Sequence, residues 1–163
     1  MLLCLSSSLF FSYASDICAA IDLSSSSSFW MDSIAIESFV SHQIGDYCLS
    51  YKLFYGGNVS DEFNYLEFAA DLCAYPIENS GFKVGLSIVK AGLFWGMGAQ
   101  DLKPILSSET FVSWEIKFSN LYIEPRICFS ESILEESEAE KILRETIKQY
   151  SKVRLSLFLG FAI

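Results

Sequence analysis

Three groups of residues in this chain have the side chains for chemistry: one histidine, five cysteines, and charged residues set at every second position of apolar runs. His42 is the sole histidine. It falls in a predicted turn over 41–46, with no nucleophile pattern beside it. A nucleophile and its base must lie within hydrogen-bond reach, so catalysis is not expected. Gly96-Met97-Gly98 is too short to cradle a phosphate and does not open a helix. The spacing of Cys4, Cys18, Cys48, Cys73 and Cys128 matches no zinc motif. No metal and no cofactor are expected, and the cysteines read as small residues filling a tight interior.

The charged residues are the informative group. Asp22, Glu37, Glu67, Asp71, Glu115 and Glu124 alternate with apolar neighbours, and so do Lys52, Lys83, Lys117, Arg126 and Arg154. Acids and bases are nearly balanced. Between them lie small side chains, among them Ala20, Ala35, Ser50, Ala69, Gly85, Ser87, Ser113, Ser156 and Gly160. The other parity is uniformly large and apolar: Tyr51 and Leu53, Leu66 and Phe68, Val84 and Leu86. Period-2 alternation specifies strands. Small residues with balanced charge suit a cramped interior where ions must pair. The predicted sheet is therefore inside-out, apolar on its exterior, with a lumen charge network within. Eight strands enclose just enough room for side chains, so structural pairing is preferred to a channel lining.

These positions need elements to carry them. At 163 residues the chain is one domain. It is 52% hydrophobic and only 19% charged, yet no run is long enough for a membrane helix. A net charge of −9 argues against nucleic acid as a partner. Alternating segments start at Ile17, Ser33, Tyr47, Tyr65, Phe82, Thr110, Leu121 and Val153, which makes eight strands. Long connections (24–32, 56–63, 96–108, 130–151) alternate with short ones (41–46, 76–81, Ser119-Asn120). Trp30, Tyr55, Tyr65, Tyr75, Trp95, Tyr122 and Phe161 sit near predicted strand ends, as an interfacial girdle requires. Two irregularities stand out. Pro125 lies within a strand, and Lys90 falls on the apolar parity unless a bulge near Val89 corrects it.

The final run carries Val153, Leu155, Leu157, Leu159, Phe161 and Ile163 on one face. An apolar edge of this kind is protected if it pairs with the first strand and closes the sheet. Residues 131–150 read as an amphipathic helix in the last long loop. Ser132 and Glu135 form a capping-box pattern, and Glu140 and Arg144 form an i,i+4 pair. Residues 1–15 (MLLCLSSSLFFSYAS) read as a signal peptide without a basic start, leaving residues 16–163 as the barrel domain. On the third and fourth strands, lumen-facing parity sets Cys48 opposite Cys73, Ser50 opposite Asp71 and Lys52 opposite Ala69. Cys48 and Cys73 are then a candidate disulfide.

In this pattern the chain resembles the small eight-stranded bacterial outer-membrane β-barrel family, the OmpX/OmpW-like class. The likeness runs over residues 16–163, and its most specific part is the alternating terminal strand. That strand looks like the recognition signal for the barrel-assembly machinery, although it ends on Ile163 where the family usually carries an aromatic. The resemblance implies an all-β, closed, antiparallel transmembrane up-and-down barrel in the bacterial outer membrane. It also implies membrane lipid as solvent and action through extracellular loops, on a host or other external partner, in adhesion, or in envelope structure. A second reading also fits the alternation: a secreted soluble barrel of the calycin type, holding a lipid or other apolar ligand in an apolar interior.

Overall fold

In the computed structural model of the chain, the structure describes residues 17–24, 33–60, 62–78, 80–96 and 99–162. Residues 1–15, expected as a signal peptide, Trp30 and Ile163 lie outside the described residues. The strands are β1 (Ile17–Asp22), β2 (Ser33–Ile44), β3 (Tyr47–Asn58), β4 (Phe63–Ala74), β5 (Phe82–Gly96), β6 (Ala99–Trp114), β7 (Ile116–Phe118), β8 (Leu121–Ser132) and β9 (Val153–Ala162). Helix α1 (Glu138–Thr146) and a single 3-10 turn (Lys148–Tyr150) connect β8 to β9.

Strands β1 to β6 pair antiparallel in succession, β7 pairs with β8 and β8 with β9, and β9 returns to β1 through Ala20 opposite Gly160. β6 and β7 both pair with β8, on successive stretches of it, and so form one barrel strand broken at Glu115. The result is a closed eight-stranded up-and-down barrel. Closure leaves the apolar face of β9 no free edge.

The break has a local cause. Glu115 leaves the ladder, and its N–H donates to the Gly81 carbonyl at 2.8 Å. Across from it, Glu124 and Pro125 fall between the β8 residues paired with β7 and those paired with β6. Pro125, which has no N–H to give, thus occupies a stretch where the ladder to β6 and β7 is interrupted.

Alternation places the side chains. Along β9, Arg154, Ser156, Phe158 and Gly160 are buried, while Val153, Leu155, Leu157, Leu159 and Phe161 are exposed. The same division holds round the barrel, with one correction built into β5. Ala70 faces Val89 and Asp71 faces Ser87, so Ile88 is the extra residue of a bulge. Ile88 and Val89 both point outward, and Lys90 turns into the lumen.

Two expected loops are largely strand. The 56–63 connection shrinks to residues 59–62, and the 96–108 connection to residues 97–98. Lys103 and Pro104 look like strand breakers, but they pair with Phe94 and Leu93 of β5. Among the described residues, β8 reaches only as far as Ser107, so the upper part of β6 is an edge. A proline and an exposed lysine are tolerated there and discourage pairing with other chains. At this end of the barrel the connections β1–β2 and β8–β9 remain long. At the other end, β2 continues through His42 to Ile44 and turns at Gly45-Asp46, with Gly45 at φ +62°. His42 is therefore a strand residue and not part of the turn. It shares its parity with Val40 and Ile44, both exposed.

Candidate functional site

The lumen is filled in three levels. At the short-turn end, Lys83 from β5 sits 2.6 Å from Glu124 and 2.8 Å from Glu115, and donates to the Tyr122 hydroxyl at 2.9 Å. Tyr75 donates to Glu115 at 3.0 Å. Arg126 closes on Glu124 through Nε and Nη2 at 2.9 and 2.7 Å. Its guanidinium stacks over Phe111 at 4.1 Å and Phe158 at 4.8 Å. Lys117 pairs with Glu115 at 2.7 Å, but its side chain is 31% exposed. It belongs to the mouth of the barrel and not to the enclosed network, because the short β7 has already reached the rim.

The middle level centres on Glu109 of β6. Its carboxylate meets Lys52, Lys90 at 2.7 Å and Arg154 at 3.3 Å, and accepts from Ser130 at 2.9 Å. Arg154 also clasps Glu37, and Lys52 reaches Asp71 at 3.1 Å. Ser87 donates to Asp71 at 2.7 Å. Glu67 lies 3.6 Å from Lys90 and accepts from Tyr65 at 2.6 Å. Asp22 accepts from the Ser24 hydroxyl and N–H at 2.7 and 2.9 Å, and from the Leu157 N–H at 3.1 Å. Burying ions is costly unless each meets its counter-charge, which is why the two signs interleave.

Glu109 is the functional residue that sequence reasoning missed, while Lys90 enters the lumen through the bulge expected near Val89. Glu109 shares parity with Ser113 and Glu115, but it lies between a presumed loop ending at 108 and a strand starting at Thr110. Lys90 is displaced by the bulge. The remaining charged positions read from the sequence come together in these two levels, apart from Lys117 at the rim. Lys52 takes Glu109 and Asp71 as its counter-ions, while Glu67 goes to Lys90.

The third level closes the long-loop end. Helix α1 begins at Glu138 and not near Ser132, because Ser132 completes β8. The cap is Ser137, whose hydroxyl accepts from the Glu140 N–H at 3.2 Å. Glu140 instead takes a hydrogen bond from Ser132 and pairs with Arg144 at 3.0 Å. Ala139, Leu143 and Ile147 recur every fourth residue and form one apolar stripe. That stripe is buried with Phe54, Phe63, Tyr65, Phe94, Ile105 and Tyr150. Tyr150 meets Tyr65 edge-on, with centroids 5.2 Å apart. Burial, and then the nearby charge of Glu67, push the Tyr150 phenol above its usual range, so it stays a neutral partner for Tyr65. The helix is thus a plug in the barrel mouth. Tyr65 and Tyr122, expected in an interfacial girdle, are fully buried instead. Each lies on the lumen parity of its own strand, beside Glu67 and Glu124.

Cys48 faces Cys73 in the β3–β4 ladder, with Ser50 opposite Asp71 and Lys52 opposite Ala69. The two residues share a buried cluster with Phe111 and Cys128. Cys18 packs elsewhere, with Phe39, Tyr122 and Phe158. Among the described residues the structure contains no disulfide. Among the described residues no cluster of His, Cys, Asp and Glu is arranged to hold a metal.

The exterior is the other functional surface. Ile21, Ile36, Val40, Leu53, Phe68, Leu86, Leu93, Ile127 and Leu155 are all exposed, and they span the circumference. Tyr47, Trp114, Phe118 and Phe161 form an aromatic fringe at the short-turn end. A soluble calycin-type barrel needs the reverse, with apolar residues inside and charges outside. The facing of the strands overturns that alternative.

No family model matches the chain, and no curated protein matches it. Among solved structures, the crystal structure of Neisserial surface protein A is similar over 90% of this chain and 92% of that chain, at 9% identity and a TM-score of 0.46. The barrel assignment rests on the ladder pairings described above.

Proposed function

We propose that this chain is an integral outer-membrane β-barrel protein with a plugged, ion-paired lumen, acting through the loop end that carries α1. One observation carries the reading: large apolar side chains face outward round the whole barrel while the strand charges, apart from Lys103, Lys117 and Glu131 near the strand ends, are enclosed. A soluble protein rarely exposes apolar surface on this scale, whereas a bilayer requires it. Membrane lipid is then the solvent of the exterior, and barrel-assembly machinery is the partner that recognises β9. The long connections β1–β2 and β8–β9 face outward, and the short turns face the periplasm. The role is non-catalytic: surface interaction, adhesion to an external partner, or envelope structure. Nucleic acid is not a partner of so acidic a chain.

Fractionation of cells exporting the full chain, combined with protease added to intact cells, tests this. The expected result is recovery with outer membranes and cleavage confined to the β1–β2 and β8–β9 connections. Recovery in the soluble periplasmic fraction would overturn it.

A further inference from the structure

We infer that Cys48 and Cys73 are a disulfide-forming pair that staples the periplasmic end of the β3–β4 hairpin, while Cys18 and Cys128 remain thiols. The inference uses the orientation proposed above, which places the short-turn end toward an oxidising compartment.

Four cysteines are buried in one small lumen, and the ladder distinguishes them. Cys48 and Cys73 are direct partners across adjacent strands. Such partners have Cα atoms about 4.5–5.5 Å apart in an antiparallel sheet, inside the range of about 4.4–6.8 Å that a disulfide spans. Both side chains point into the same lumen and pack in one buried cluster. Cys128 faces Phe111 on one side and Arg154 on the other. Cys18 faces Ser41 and Ala162. Neither of these two has a cysteine as its ladder partner.

The folded pair is almost inaccessible, with each residue about 2% exposed. Oxidation therefore belongs to the stage when the hairpin has formed and the barrel has not closed over it. The chemistry is thiol–disulfide exchange with an oxidant that carries a disulfide. The thiolate of one cysteine attacks the oxidant's disulfide, forming a mixed disulfide and releasing one oxidant thiol. The second cysteine then displaces the remaining oxidant sulfur. Two S–H bonds are lost, one S–S bond forms, and two protons and two electrons reduce the oxidant to two thiols. The bond would fix the register that sets Lys52 and Asp71 at their places in the middle level.

The test uses the full chain, exported and also refolded into detergent in a buffer of reduced and oxidised glutathione. Thiol exchange is quenched with acid, free thiols are alkylated by excess reagent as the protein is unfolded, and unreduced proteolytic peptides are read by mass spectrometry. The expected result, in both preparations, is a peptide linking Cys48 to Cys73, two hydrogens lighter than the reduced pair, with Cys18 and Cys128 alkylated. The link should persist in a Cys18→Ser/Cys128→Ser variant and vanish in Cys48→Ser. Alkylation of both Cys48 and Cys73 when barrel that had folded is unfolded in the reagent, or a link between any other two cysteines, would overturn the proposal. Recovery in the outer-membrane fraction is scored separately, so thiols found free in membrane-inserted protein contradict the staple and leave the barrel reading intact.

Discussion

At the scale of the residue, the lumen depends most on Glu109. This one carboxylate is shared by Lys52, Lys90 and Arg154. Removing one partner of a buried ion pair costs about 3–5 kcal/mol, because the other charge is left enclosed without its counter-ion. Glu109→Gln should therefore lose at least that much in urea unfolding from detergent or lipid, and it should lose more than Glu67→Gln, whose nearest cation is 3.6 Å away. Adding Lys90→Met to Glu109→Gln should recover part of the loss. Equal costs for the two single changes would show that Glu109 is not the hub. On the other parity, Leu86 faces outward, so Leu86→Arg should cost about 2–4 kcal/mol in folding into a bilayer, as lipid-facing arginines near the midplane do. Leu86→Phe should fold nearly as well as the parent. The hub itself was hard to read from sequence, for a physical reason. Parity marks facing only within one unbroken strand, so a misplaced strand start hid Glu109, whereas Lys90 was legible only because its break in parity called for a bulge near Val89. Where the run is regular, as from Tyr47 to Asn58, facing and register were both legible, down to Cys48 opposite Cys73.

At the scale of the element, α1 converts an open mouth into a closed one. Its own propensity contributes little, since nine residues are marginal alone. The stripe of Ala139, Leu143 and Ile147 holds it. Ile147→Glu would place a carboxylate among Phe54, Tyr65 and Tyr150, close to Glu67, and should expel the plug while the barrel persists. In limited trypsin digestion of detergent-solubilised protein, cleavage after Lys141 and Arg144 should accelerate at least tenfold, with β-sheet circular dichroism unchanged. Ser137→Ala removes the cap and should cost about 1 kcal/mol, a smaller acceleration at the same sites. Unchanged digestion of Ile147→Glu would contradict the plug. Sequence showed that a helix exists here, through its acids, a capping-box pattern and the Glu140–Arg144 pair. It did not show the start, because two serines, Ser132 and Ser137, each precede a glutamate by three residues. Which of them caps is decided by where β8 stops pairing with β6. The length of β5 and β6 was hidden for a similar reason: Pro104 is excluded from a central strand but not from an edge.

At the scale of the whole molecule, the fold is a closed surface that turns apolar side chains outward and encloses its charge. Closure depends on the seam between β1 and β9, where Gly160 lies against Ala19 and Ala20. A Cβ built on Gly160 would sit 2.1 Å from the Ala19 carbonyl oxygen, which is backbone and cannot give way. Gly160→Val should therefore leave the hairpins able to form and prevent the seam from closing. On a cold gel, the compact fast-migrating band of the folded barrel should be lost. The central claim is that bilayer, not water, is the solvent of this exterior, and one measurement addresses it directly. The full chain is diluted from urea into buffer with and without lipid vesicles, and folding is followed by circular dichroism and by protease protection. The result expected is β-sheet formation and protected strands only when vesicles are present, with aggregation in buffer alone. A monodisperse, protease-resistant β-sheet protein in lipid-free buffer would contradict the account.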